Sequence, residues 1–571
     1  MYSRRDFLIR SVAAGGVVSS AGGRFGVALP SPASAEDERA PAQSRKEEPQ
    51  AMLVATMSPA AIRSGVEVMR RGGSAADAVL TTALSQIARC AGCWVSYAGR
   101  MTAVYFDAES GRVHALNACY DAPRNENDPQ SIPRQPTPSG RTVLVPGFMA
   151  GVSALHERHG KLSFSDLFQP AIAVAQDGIP LSRQMANLIR GKSTVLTRFA
   201  TGRTVFTKDG QQLVDAGDLF RQPQLAKTLT GVATHGAAYM YQGEWAEKFV
   251  RAVRAESGKI TLDDLARYQP TWTEPLQTQL GDGIRVCAIP SPNRGGPLAL
   301  ACLNLANHAQ LHEHGHFTES VESLDRILRI EEASRVIARV RGRRLLADHL
   351  GEDELTIDDF ADPRIGRRLW RTIQTPAWSQ IIDRLNTRLP ATSEHSDAVV
   401  AVDRAGNVAA ILHTINTAGW GTTGLFVEGV SIPDSGAAQQ AAIAEAGPGG
   451  RIADYGPPMI AMKDGVPILA GSATGSGNVY ASWQNFVNVL QYRMNPQEAA
   501  DTANFYRGTF ERASLKQAFV AQARDAGIAL KLKSRFGGYE MGFWCGLGID
   551  AETRGVQAGK IRKLDGIAVG F

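Results

Sequence analysis

The chain has 571 residues, enough for roughly three to four domain-sized masses or one large layered enzyme. Hydrophobic residues make up 44%, charged residues 20%, and 57 glycines with 28 prolines about 15%, which excludes collagen-like, disulfide-framework and fully disordered classes. The formal charge is +5, but Arg4, Arg5, Arg10 and Arg24 against Asp6 leave the rest at +2, with no electrostatic reason to bind nucleic acid or an anionic membrane.

Ser3-Arg4-Arg5-Asp6-Phe7-Leu8 precedes a short, glycine-rich apolar stretch, and Ala33-Ser34-Ala35 offers a small-residue cleavage site. This pattern predicts a twin-arginine export signal over residues 1–35, a mature start near Glu36 and a periplasmic or secreted protein. No later segment reaches 18 uninterrupted apolar residues, so no membrane span is expected. Residues 36–50 are polar without periodicity and read as a flexible leader.

Met52 to Thr56 is a strand-like run, and Ser58 to Arg71 shows helical spacing through Ile62, Val66 and Met69 before Gly72-Gly73 stops it. Ser74 is placed to cap a helix whose alanine-rich stretch, Ala75 to Ala88, permits close packing on a sheet. Cys90-Ala-Gly-Cys93 has C-x-x-C spacing; without a second pair it reads as a local disulfide in an oxidising compartment. Thr102 to Phe106 and Arg112 to Leu116 read as two strands joined by a turn. From about Pro146 to Arg371 the period is mostly helical, and Val321 to Leu346 is a long basic amphipathic stretch whose arginines belong on a solvated face. Asp397 to Val402 and Val408 to Ile415 are adjacent strands around the turn Asp403-Arg-Ala-Gly-Asn407. Pro467 to Gly471 continues the β character, and Trp483 to Leu490 and Pro496 to Ala503 restore helices. Strands at both ends with helices between them predict an α+β layered architecture, not a doubly wound one.

Generic cofactor signals are missing: there is no phosphate loop, and Gly471-Ser-Ala-Thr-Gly475-Ser-Gly477 does not spell the dinucleotide fingerprint, so no cofactor is expected. His308, His312, His314 and His316 invite a metal reading, but they lack H-E-x-x-H spacing and read as a polar surface loop. The boundary His395-Ser396 is more informative. A serine freed there by chain cleavage would carry its own general base, an α-amine with an ordinary pKa of about 7.7 to 8.0. Taken alone, a serine before a strand is more often a cap or turn residue.

A resemblance over nearly the whole mature chain changes that weighting. Gly72-Gly73-Ser74-Ala75-Ala76-Asp77-Ala78, Val145-Pro146-Gly147, Leu155-His-Glu-Arg-His-Gly160, Pro170-Ala-Ile-Ala-Val-Ala175, Asn293-Arg-Gly-Gly296, Asp403-Arg-Ala-Gly-Asn407 and Gly471-Ser-Ala-Thr-Gly475 resemble, in order, the γ-glutamyltransferase family. The resemblance implies an N-terminal-nucleophile hydrolase with a four-layer αββα sandwich and a helical lobe, built from a precursor that cuts itself. Here the fragments would be a large-subunit segment, 51–395, and a small-subunit segment, 396–571. It implies Ser396 as nucleophile where the family has threonine, Thr414 as its hydrogen-bonding partner, Asn416 as a substrate contact and Thr474-Gly475 as the oxyanion hole.

The departures bear on substrate. The family arginine that clamps the γ-glutamyl carboxylate corresponds to Cys119, its paired serines to Asp454-Tyr455, and the Gln and Asp that hold the ammonium to Ser435 and Ala438. Cysteine cannot supply a bidentate contact to a carboxylate, so a different acyl group is expected, with Arg100 or Arg124 as candidate substitutes and Asp454 pointing to a reversed charge preference. The competing readings are a true γ-glutamyl hydrolase or transferase with a rebuilt clamp, and a non-catalytic binding protein on the same scaffold.

Overall fold

The computed structural model describes residues 48–385, 396–502, 504–534 and 542–571. The predicted export signal, most of the leader and His395 lie outside the described residues. The leader's end is tied down: Val556 N–H donates to Pro49 O at 2.9 Å and Gln557 Nε2 to Glu48 Oε1 at 2.7 Å.

Two antiparallel sheets form the frame. The first runs Ala568–Gly570, Met52–Ala55, Ser396–Val402, Val408–Thr414, Arg100–Asp107, Arg112–Ala118, Thr271–Thr273 in spatial order. The second runs Val556–Lys560, Phe543–Ile549, Val466–Thr474, Met459–Lys463, Ile284–Ala288, Leu276–Gln279. Alternation along each strand sends successive side chains to opposite faces. Val104, Val400 and Ala410 of the first sheet thus meet Ile460, Ala470 and Cys545 of the second in one apolar layer. The intervening positions face helices. Leu53, Val399 and Ile411 pack beneath helices Pro59–Arg70 and Ala75–Arg89, and Ala461, Leu469 and Ala473 beneath Gly295–His308 and Asn478–Leu490. Helix, sheet, sheet, helix is the αββα sandwich of N-terminal-nucleophile hydrolases, and Val321–Ile337, Val340–Leu350 and Pro363–Ile373 extend the second helical layer into a lobe.

The family-like motifs near the start of the chain are structural joints. Ser74 Oγ accepts from Asp77 N–H at 3.2 Å while Asp77 Oδ2 accepts from Ser74 N–H at 2.9 Å, a reciprocal capping box. Asp403 Oδ2 accepts from Ala75 N–H at 2.9 Å, so the turn between the two central strands grips the first turn of that helix.

Two expectations are corrected. The basic stretch is two helices, Val321–Ile337 and Val340–Leu350. A Cβ on Gly342 would stand 2.0 Å from Val336 O, so glycine lets the second helix fold tightly against the end of the first. Arg326 and Arg329 do pair on the surface, but Arg343 turns back to donate to Ile337 O at 3.0 Å. All six cysteines are buried free thiols, so Cys90 and Cys93 do not form the expected disulfide; burial pushes the Cys90 thiol up to about 12.

Candidate active site

At one end the apolar layer between the sheets gives way to polar residues. Ser396 continues the inward row of Ala398 and Val400, Thr414 that of Val408 and Ala410, and Arg100 that of Val104 and Phe106. The register puts them side by side, with Thr414 opposite Ser396 on one neighbouring strand and opposite Arg100 on the other. Directly opposed side chains begin about 4.5–5.5 Å apart, so the three form one continuous row. All are buried, Arg100 to 1% exposure.

The facing sheet supplies a donor. Strand Val466–Thr474 ends at Gly475, whose N–H points at Ser396 Oγ across 3.3 Å. Gly475 has φ +86°, a left-handed conformation that favours glycine. Thr474 is still part of the extended strand, so it needs no glycine freedom there. Asn416 follows the row's middle strand with φ +53°, and its N–H donates to Thr414 Oγ1 at 3.1 Å.

Arg100 is the feature the motif comparison undervalued. Its Nε and Nη2 donate to Asn416 Oδ1 at 3.2 and 3.1 Å, and Nη2 lies 2.5 Å from Asp454 Oδ2. Asn416 Nδ2 donates to the same Asp454 oxygen at 3.1 Å, and Gly456 N–H donates to Oδ1 at 2.6 Å. Asp454 is therefore spent on Arg100, Asn416 and Gly456, which corrects the reversed charge preference read from the sequence. Arg124 is no substitute clamp: its side chain is 47% exposed beside Asp263 and Asp264. The legible signal for Arg100 was a lone cation opening the apolar run Arg100-Met-Thr-Ala-Val-Tyr-Phe106.

The other carried-over positions surround this cluster. Met101 opposes Ala118, so Cys119 is next in line beyond Arg100, its thiol raised by burial. Ser435 Oγ donates to Ile415 O at 2.7 Å, and Ala438 ends the short turn Ser435–Ala438. Tyr455 O accepts from Asn478 Nδ2 at 2.9 Å. The Asn293-Arg-Gly-Gly296 motif holds Asp454 from behind, with Arg294 N–H donating to Asp454 O at 2.6 Å. The histidines have separate partners: His308 Nε2 meets Pro363 O, His314 meets Glu322, and His316 meets Thr318 and Asn488.

Asp397, missed as a site neighbour, points to the helical side of the sheet. Trp94 Nε1 donates to its Oδ2 at 3.3 Å, and burial lifts its carboxyl to about 7.

Comparison with known proteins agrees with this frame. The family model for Gamma-glutamyltranspeptidase matches residues 61–546. The chain is 24% identical over 495 residues to the glutathione hydrolase proenzyme of Escherichia coli, covering 80% of each. It is 25% identical over 496 residues to the acylase ACY 1 proenzyme of a Pseudomonas species, covering 82% of this chain and 85% of that one. The crystal structure of cephalosporin acylase from Bacillus halodurans shares the fold, with TM-score 0.73 at 20% identity over 94% of this chain and 99% of the other. The chain belongs to the gamma-glutamyltranspeptidase family of N-terminal-nucleophile hydrolases and is an enzyme that hydrolyses amide bonds or transfers their acyl groups.

Proposed function

We propose that this is an exported enzyme that cuts itself between His395 and Ser396 and then uses Ser396 as an N-terminal nucleophile on an acyl substrate other than a glutathione-like γ-glutamyl compound. The observation that carries the reading is the Gly475 N–H 3.3 Å from Ser396 Oγ, with Thr414 directly opposite on the next strand. In self-cleavage, Ser396 Oγ attacks the carbonyl carbon of residue 395 and the Gly475 amide stabilises the developing oxyanion. The C–N bond breaks, the acyl group passes to oxygen, the Oγ proton passes to the departing nitrogen, and the α-amine is freed. Water then hydrolyses the ester, leaving a carboxylate on residue 395 and a free serine terminus.

In turnover the α-amine takes the Oγ proton as Oγ attacks the substrate amide, and returns it to the departing amine. Water or a second amine then removes the acyl group. Thr414 orients Ser396, Asn416 contacts the acyl group, and backbone amides at Thr474 and Gly475 hold the oxyanion. These steps require no cofactor. Export is supported by the paired arginines and the Ala33-Ser34-Ala35 exit, and among the described residues no helix is long and apolar enough to cross a membrane. The substrate departure is supported by Cys119 and Ala438, which lack the charges of the arginine and aspartate they replace, and by Ser435, which lacks the reach of the glutamine amide.

The experiment is a denaturing gel with N-terminal sequencing. Two fragments of about 39 and 19 kDa are expected from about 110 Da per residue, the smaller beginning Ser-Asp-Ala-Val, while Ser396→Ala stays whole. An exported wild-type chain that stays intact, or a Ser396→Ala chain that is cut as well, refutes the mechanism. Turnover of a γ-glutamyl anilide as fast as of any other acyl anilide refutes the substrate part.

A further inference from the structure

The row beside Ser396 ends in a charge that is already balanced. Arg100 stands one strand beyond Thr414, on the same inward face, and is 1% exposed. Its charge is met by Asp454 at 2.5 Å, and Asn416 bonds both partners. The neighbouring guanidiniums are committed too: Arg451 pairs with Asp121 and donates to Asn117 O at 2.7 Å, and Arg294 pairs with Glu445. An acyl group carrying a carboxylate would thus bring an uncompensated negative charge into a site removed from water, which is costly.

The same cluster keeps spare hydrogen-bonding capacity. Arg100 Nη1 and Thr102 Oγ1, two residues apart on one face of the strand, are buried without partners, whereas buried polar groups are ordinarily paired. Both border Gly456, where a Cβ would stand 3.0 Å from Nη1 and 2.5 Å from Oγ1. Gly456 has no left-handed φ to explain it, so glycine is needed there for space, and its missing side chain leaves the two buried donors without a partner on that side.

We infer that the Arg100–Asp454 pair sets acyl specificity: it anchors an uncharged acyl group bearing a hydrogen-bond acceptor, such as a primary amide, and discriminates against acyl carboxylates. The inference rests on the proposed use of Ser396 as nucleophile and adds the substrate class.

The test uses four 4-nitroanilides of matched length on the processed enzyme: pentanoyl, glutaramyl (the terminal primary amide), glutaryl and γ-glutamyl. Active sites are counted by stoichiometric acylation of Ser396. Glutaramyl is expected to exceed both pentanoyl and glutaryl in kcat/KM by roughly tenfold or more. In Asp454→Asn, which frees the Arg100 charge while keeping an amide for Asn416, the glutaryl to glutaramyl ratio should rise by roughly tenfold or more. A wild type that prefers glutaryl or γ-glutamyl overturns the inference without any variant. So does a folded Asp454→Asn enzyme whose ratio moves less than about twofold. Failure of Ser396 to acylate with all four compounds would instead defeat the nucleophile assignment.

Discussion

Asp403→Ala isolates a joint at the far end of the strand that begins with Ser396, away from the proposed chemistry. The carboxylate is 4% exposed and accepts three hydrogen bonds, from Ala75 N–H at 2.9 Å, Asn407 Nδ2 at 2.9 Å and Asn407 N–H at 3.0 Å. Bonds to a charged acceptor contribute about 1.5–3 kcal/mol each, and a carboxylate at a helix N-terminus adds about 0.3–1 kcal/mol. The two Asn407 bonds are local and partly re-formed in the unfolded chain, so the Ala75 contact dominates. Alanine also leaves that N–H buried and orphaned. The expected loss is about 3–5 kcal/mol, and Asp403→Asn, which keeps an acceptor but not the charge, should lose about half as much. Equilibrium urea unfolding in the uncut Ser396→Ala background compares one covalent chain with another. Asp403 lies seven residues along the chain from Ser396, about 20 Å in an extended strand, so activity per titrated site in the cut enzyme should change less than about twofold. A stability loss below about 1 kcal/mol, or a collapse of activity per site with stability intact, would refute the assignment of this motif to architecture.

Gly475→Ala should strain a backbone at φ +86° by about 1–2 kcal/mol and displace the amide facing Ser396 Oγ, slowing both self-cleavage and turnover by about 10²–10³-fold; rates within threefold of wild type would remove that amide from the oxyanion hole. Burial holds the Asp397 carboxyl at about 7 against about 3.9 in the unfolded chain, so between those values the native state keeps a proton that the unfolded state releases. Its contribution is fully present below about pH 4 and is lost as pH rises to about 7; Asp397→Asn in the Ser396→Ala precursor should flatten that decline in urea midpoint, and an unchanged slope would contradict the buried, protonated state.

Five of the first sheet's seven strands were legible because they are apolar runs bounded by turn residues, whereas Thr271–Thr273 and Ala568–Gly570 were not, and Ser74 was legible as a cap because its hydroxyl precedes an alanine-rich helix. Most of the second sheet was not. Phe543–Ile549 reads Phe-Trp-Cys-Gly-Leu-Gly-Ile, and its glycines suggest a loop until their neighbours are known. A Cβ on Gly546 would fall 2.1 Å from the Trp544 ring, and one on Gly548 would fall 2.8 Å from the Pro496 ring. Both glycines make room for rings packed over the strand, and the Pro496 ring comes from a distant part of the chain that no local pattern records. The αββα arrangement therefore came from the resemblance rather than from periodicity. The same holds within the site. Ser396, Thr414, Asn416 and Gly475 could be counted from motifs, whereas the Arg100–Asp454 pairing joins residues 354 positions apart and exists only after the strands align.

The strand order also bears on why a cut at His395-Ser396 need not dismantle the enzyme. Ser396–Val402 lies between Met52–Ala55 and Val408–Thr414, and Val408–Thr414 pairs in turn with Arg100–Asp107, so strands from both sides of the proposed cut are interleaved in the first sheet. In the second sheet Met459–Lys463 pairs with Ile284–Ala288, and at the chain's end Ala568–Gly570 closes on Met52–Ala55. The apolar layer between the sheets likewise draws Val54 and Val104 from one side of the cut and Val400, Ala470 and Cys545 from the other. Scission would remove one covalent link while leaving these ladders and the buried layer in place. What it changes is local: the backbone nitrogen of Ser396 becomes an amine on the residue that already faces Gly475 and Thr414. The framework that positions the nucleophile is thus complete before the base exists, and this is what a precursor needs if the same serine is to perform both the cut and the later turnover.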